Sequence, residues 1–128
     1  MFRPDFLASV SFESQQRNLG AENFSYYVAK SNSNIVGVIA LRDKSHLFHL
    51  FVSKEFQGQR LASKLWNAVK TEALEAGNPG EFTVNSSLNA IQIYEAFGFT
   101  REGDVKRMHG VAFQPMRLSC TNWISQRM

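Results

Sequence analysis

Near the middle of the chain the hydrophobic pattern changes period twice, and this limits the available folds more than any other feature. Up to Val52 the apolar residues come in short β-rich runs. From Leu61 to Ala76 they recur at spacings of three and four (Leu61, Leu65, Ala68, Val69, Ala73), with Lys64, Asn67, Lys70, Thr71, Glu72 and Glu75 filling the other face. That is the pattern of an amphipathic helix. Gly77 and Pro79 stop it, because Gly takes the left-handed position past a helix end and Pro cannot continue the ladder. Glu81 to Asn85 then returns to a strand pattern. A strand, a crossover helix and a second strand place the two strands parallel. His46–Val52 is therefore expected beside Glu81–Asn85.

The flanking segments add antiparallel structure. Phe24 to Lys30 and Ile35 to Leu41 are β-rich runs joined by Ser31-Asn32-Ser33-Asn34, which reads as a hairpin. Arg42 to Ser45 is a second polar turn leading into His46–Val52, so three strands form a meander. Residues 5 to 19 are expected to be a weak helix carrying Phe6, Leu7, Val10 and Leu19, with Gly20 ending it. Ser86 or Ser87 is expected to cap a helix over Ala90–Phe97, with Gly98 past its end. Asp104–His109, Gly110 and Val111–Leu118 read as a terminal hairpin, with Pro115 at an edge or bulged position. The fold class is α/β, a mixed and mostly antiparallel sheet with one parallel pair.

Composition narrows the function classes. A chain of 128 residues without linker-like or repeated segments is expected to form a single domain over 1–128. Eleven Phe point to a core rich in aromatic side chains. The 14 Lys and Arg against 11 Asp and Glu are scattered, without the basic stripe of a nucleic-acid binder. Cys120 is the single cysteine, which excludes an intrachain disulfide and any metal-type cysteine spacing, so no metal is expected. The amino terminus carries Pro4 and Asp5 where a signal peptide needs an apolar core, and Ile35 to Leu41 is too short to span a bilayer. A cytoplasmic location with no membrane partner is the expectation.

The chemistry is concentrated between Val52 and Leu65. A strand runs into a short loop containing Gly58, and the loop opens the long helix. Helix amino termini present unpaired N–H groups and partial positive charge, so they hold phosphates well, and small residues let an anion approach the backbone. By itself such a junction is as often a plain turn.

Gln57-Gly58-Gln59-Arg60-Leu61-Ala62 resembles the phosphate-binding motif of the GNAT acyltransferases, directly after a strand ending in Leu50-Phe51-Val52. Val84 to Ala90 and Ile93-Tyr94-Glu95-Ala96-Phe97-Gly98-Phe99 are similar to that family's later strand and helix. Phe113-Gln114-Pro115-Met116 resembles one bacterial branch of it. The resemblance covers residues 22 to 118 with two motifs in order. It departs from the family in two ways. Arg60 stands where the motif usually has its first Gly, and the usual first strand and helix are not recognisable, which leaves a sheet edge open to another chain and makes a homodimer an expectation.

The resemblance implies direct transfer of an acetyl group from acetyl-coenzyme A to a small-molecule or peptide amine. It implies that Leu50, Phe51 and Val52 pair with the pantetheine arm, with the Val52 N–H facing the thioester oxygen. Backbone N–H groups from Gln57 through Gly58, Gln59, Arg60, Leu61, Ala62 and Ser63 would take the pyrophosphate, and Asn89 would touch the cofactor from the later helix. Tyr94 matches the acid for the departing thiolate, against a plain packing role beside Phe97. His46 lies six residues before Val52, an even spacing that predicts a shared strand face, and is the candidate base. Two other readings remain open, a coenzyme A binder without turnover and an interaction module that only keeps the fold.

Overall fold

The computed structural model describes residues 10–19, 22–58 and 60–120. One eight-stranded sheet carries two helices. Its strands are β1 (Val10–Leu19), β2 (Glu22–Ser31), β3 (Asn34–Arg42), β4 (His46–Val52), β5 (Glu81–Ser87), β6 (Thr100–Arg101), β7 (Lys106–Met108) and β8 (Val111–Ser119). The helices are α1 (Leu61–Glu75) between β4 and β5, and α2 (Ile91–Ala96) after β5. Along the sheet the order is β1-β2-β3-β4-β5-β8-β6, with β7 also on β8. All neighbours are antiparallel except β4 and β5.

The expected helix over 5–19 is corrected. Residues 5–9 lie outside the described residues, and 10–19 form β1, paired with β2 from Val10↔Ser31 to Leu19↔Glu22 without interruption. Val10, Phe12, Ser14 and Gln16 alternate on one face, a period of two that four scattered apolar residues had disguised as a helix. The meander is as expected, and its turns at Asn32-Ser33 and Asp43-Lys44 have positive φ at both residues; the first is a two-residue hairpin whose geometry matches strand twist, and the second adds Ser45 before His46.

Helix α1 ends in a glycine cap. The Gly77 N–H donates to the Leu74 carbonyl and the Asn78 N–H to that of Ala73, with Gly77 at φ 111°. The Asn78 amide then donates to the carbonyls of Lys44 and Glu81, while its oxygen accepts from the Gly80 and Glu81 N–H groups. One side chain thus fixes the end of α1, the start of β5 and the β3–β4 turn.

The terminal hairpin is β7–β8, and β6 is an additional short strand. Pro115 sits inside β8, opposite Asn85 of β5, and its carbonyl accepts from the Glu102 N–H. A strand residue turns N–H and C=O to the same side, so the missing Pro N–H faces the break between β6 and β7. The expected capping by Ser86 or Ser87 is not found. Ser87 precedes a 3-10 turn, Leu88–Ala90, without a side-chain cap, and Ser86 Oγ donates to the Ser87 carbonyl.

α1 covers the sheet face that holds Tyr27, Ala29, Gly37, Ile39 and Leu41, burying Leu61, Leu65, Trp66, Val69, Ala73 and Leu74. Trp66 meets Phe82 at 5.2 Å, Phe99 at 5.3 Å and Phe97 at 5.9 Å, which joins α1, β5 and the end of α2 in one aromatic cluster. The helix approaches most closely at Gly37, where a Cβ would lie 2.9 Å from Leu65 Cδ1 and 3.2 Å from Leu61 Cδ2. Gly37→Val is expected to destabilise the domain by about 1–3 kcal/mol, as overpacking does, measured by urea unfolding. A change below a few tenths would show that α1 moves freely there.

Candidate active site

β4 and β5 pair only at His46↔Thr83 and Leu47↔Val84, then diverge. From Leu50 to Val52 on one side and Asn85 to Ser87 on the other, the strands share no partners, and a cleft opens between them. Its volume is about 590 Å³. The walls are the end of β4, the loop residues Phe56, Gln57, Gly58 and Arg60, the first turn of α1, and Ala90, Ile93, Tyr94, Ala96 and Phe97 from the α2 region.

The alternation of backbone groups along β4 decides what faces the gap. The Ser53 N–H donates to the Val36 carbonyl on the β3 side at 2.8 Å. The preceding N–H, that of Val52, therefore points the other way, into the gap. The Val52 carbonyl is held by the Gln57 amide at 3.0 Å, which ties the loop back to the strand end.

The amino terminus of α1 is an open donor site. Arg60 precedes it at φ 64° without capping it through its side chain, and no acidic residue lies in its first turn. The Lys64 N–H donates to the Arg60 carbonyl, leaving those of Leu61, Ala62 and Ser63 without intrahelical partners. The Gln57 N–H is already used, donating to the Lys54 carbonyl at 3.3 Å, and its side-chain amide is the group that holds the Val52 carbonyl. Among the described residues the cleft wall contains no carboxylate, and its ionisable groups are Arg60 and Tyr94. Such a wall accepts phosphate without repulsion.

Tyr94 is 8% exposed, and its ring is wedged edge-on between Phe97 at 6.0 Å and Phe99 at 5.9 Å. Burial pushes its phenol above the usual 10.0, so the hydroxyl stays protonated through neutral pH. That hydroxyl has no hydrogen-bond partner among the described residues.

Ten residues singled out from sequence thus share the cleft: Leu50, Phe51, Val52, Gln57, Gly58, Arg60, Leu61, Ala62, Ser63 and Tyr94. Gln59 lies outside the described residues. Asn89 is exposed in the turn beside Ala90 but does not line the cleft. Phe56, Ala90, Ile93, Ala96 and Phe97 were not anticipated. The i, i+3 and i, i+4 spacing of Phe97 from Tyr94 and Ile93 was the available signal.

His46 does not line the cleft either, and the shared face with Val52 is corrected. The β3–β4 register slips between Ala40↔His49 and Leu41↔Leu47, which makes Phe48 an extra residue. This bulge reverses the alternation, putting Leu47, Leu50 and Val52 on the α1 face and His46, His49 and Phe51 on the other. Phe48 packs there on Phe24, ring centroids 5.2 Å apart. His46 instead closes the joined end of the strand pair, its Nδ1 2.8 Å from Thr83 Oγ1, and burial, then Arg42, lowers its pKa below 6.5.

The sequence matches the family model of the GNAT acetyltransferase domain over residues 3–120. The chain belongs to the GNAT acetyltransferase family. It is 31% identical over 90 residues to N-acetyltransferase family 8 member 2 of Rattus norvegicus, covering 62% of this chain and 40% of that protein. The chain thus spans less than half the length of this curated relative. A GCN5-related N-acetyltransferase from Rhodopseudomonas palustris superposes with TM-score 0.67 at 22% identity, covering 75% of this chain and 61% of that one. A Bacillus anthracis structure solved in complex with acetyl coenzyme A gives 0.64 at 18%, covering 75% and 63%. The mixed sheet with one parallel pair is the fold of this family. Among the described residues no helix is long and apolar enough to cross a membrane, and no cluster of His, Cys, Asp and Glu could hold a metal.

Two outcomes test this geometry. Arg60→Gly relieves a left-handed side chain and should stabilise the domain by roughly 0.5 kcal/mol, the αL relief less the entropy of Gly; a loss of stability in thermal unfolding would refute the strain. His46 has a lowered pKa, so its contribution to stability is present above pH 6.5 and lost as pH falls. His46→Gln should therefore narrow the stability difference between pH 7.5 and pH 5 seen in urea midpoints, and an unchanged difference would contradict the burial.

Proposed function

We propose that this chain transfers an acetyl group from acetyl-coenzyme A to a primary amine, in the cleft between β4 and β5. The observation that carries the reading is the convergence on one cleft of the Val52 N–H, the uncapped amino terminus of α1 and the free Tyr94 hydroxyl. Acetyl-coenzyme A supplies the acetyl group as a thioester and anionic phosphates as an anchor. The cleft fits both, with an apolar wall along Leu50–Val52 and unpaired donors at the head of α1.

In this reading the amides of Leu61, Ala62 and Ser63 hold phosphate, and the Arg60 guanidinium adds a charge-assisted contact. The Val52 N–H, fixed by the β3 pairing, donates to the thioester oxygen as negative charge develops there. The carbon–sulfur bond breaks as the carbon–nitrogen bond forms. Tyr94 gives its proton to the departing sulfur and recovers one from solvent. The amine proton leaves to water in the open cleft, since His46 closes the far end of the strand pair.

The shortage of ionisable groups in the cleft also favours a second reading, coenzyme A binding without turnover. Calorimetry with acetyl-coenzyme A, followed by thiol release across a panel of primary amines, separates the two. Binding is expected in the micromolar range, with Ser63→Glu weakening it at least about tenfold through repulsion at the helix terminus. Tyr94→Phe is expected to lower turnover by about ten- to a hundredfold and leave affinity unchanged. Binding without thiol release from any amine selects the second reading, and no binding by folded protein rejects both.

A further inference from the structure

The two ends of the sheet are built differently. At one end β6 and β7 are two and three residues long and carry Arg101, Lys106 and Arg107, devices that discourage pairing with another strand. At the other end β1 is ten residues long, has no Pro or Lys, and shows no bulge in its register with β2. Nothing among the described residues pairs with its outer side.

The outward backbone groups of β1 can be identified. The Asn23 carbonyl accepts from the Asp43 N–H beyond β3, so Asn23 turns its backbone groups toward β3 and Phe24 turns toward β1. Phe24 lies opposite Arg17. Alternation then directs the odd residues of β1 to β2 and the even ones, among them Phe12, Ser14 and Gln16, to the free edge. An antiparallel copy must hydrogen-bond even residue to even residue.

We infer that two copies of this chain pair antiparallel through β1, about a two-fold axis at Gln15, giving one continuous sheet. Charge selects this register. With the axis at Gln15, Glu13 of each copy lies opposite the partner's Arg17, twice per dimer, on the face away from α1. An axis at Ser14 or Gln16 sets both charges against neutral residues. Ser14 bonds the partner's Gln16 through the backbone, while Gln15 and the Glu13–Arg17 pairs occupy the closer, non-hydrogen-bonded positions. Arg17 has no ion-pair partner among the described residues, and Glu13 also holds Lys30 at 3.1 Å, so the partner's Arg17 extends an ion pair already formed. The interface leaves the cleft free, since β2 and β3 separate β1 from β4.

The axis makes position 15 unique. In a Cys120→Ser background, Gln15→Cys places two sulfurs on non-hydrogen-bonded strand positions about 4.5 Å apart at Cα, within disulfide reach. Mild oxidation is expected to cross-link Gln15→Cys at least about tenfold faster than Ser14→Cys or Gln16→Cys. Light scattering is expected to give a dimeric mass for the unsubstituted chain. Arg17→Glu and Glu13→Arg should each give monomers of unchanged circular dichroism, and mixing the two should restore a dimer through two complementary pairs. A monomeric unsubstituted chain overturns the inference, and so does cross-linking independent of position or a dimer that neither charge reversal disturbs.

Discussion

The site depends on how closely one helix can approach one strand. At Gly37 the absence of a Cβ lets Leu61 and Leu65 settle on the backbone of β3, beside the small Ala29 of β2. That contact fixes the amino-terminal half of α1, and with it the amides of Leu61, Ala62 and Ser63. The end of β4 lies one strand away and is paired with the same Gly37 through Val52. The amides at the head of α1 and the inward-turned Val52 N–H are thus referenced to a single residue. The far end of α1 is set separately, by the Asn78 side chain and the glycine cap.

The cleft arises from an interrupted parallel pair. Two residue pairs join β4 to β5, reinforced by His46 and Thr83 at the closed end. The Phe48 bulge then turns β4 and reverses which side chains meet the core. Beyond it the strands diverge because their other neighbours hold them, β3 on one side and β8 on the other. The cleft exposes unpaired backbone groups in the interior of the sheet. Such groups are costly to bury unsatisfied, so a ligand with amide-like partners gains by lying there.

The Trp66 cluster links this opening to the rest of the core. Through Phe82, Phe97 and Phe99 it carries the position of α1 over to α2, where Tyr94 rests on two of the same rings. Among the described residues the phenol is therefore located by aromatic packing and not by a hydrogen bond. Burial of its ring both aims the hydroxyl and keeps it protonated.

By itself the sequence determined what depends on local pattern. The 3.6-residue period of Leu61–Glu75, the β-rich runs with their turn residues, and the strand–helix–strand order were legible from neighbours in the chain, as were the family motifs at Gln57–Ala62 and Tyr94–Phe99. Tertiary structure alone decided what depends on pairing across the chain. The identity of β1 rests on ten partners in β2, which outweigh a weak helical pattern. The face of His46 rests on a bulge that appears only when β4 is laid against β3, because one extra residue reverses every even-spacing argument. The anchoring by Asn78 and the close approach at Gly37 join residues tens of positions apart. No local spacing records such contacts, since they form only where the sheet brings its strands together under α1.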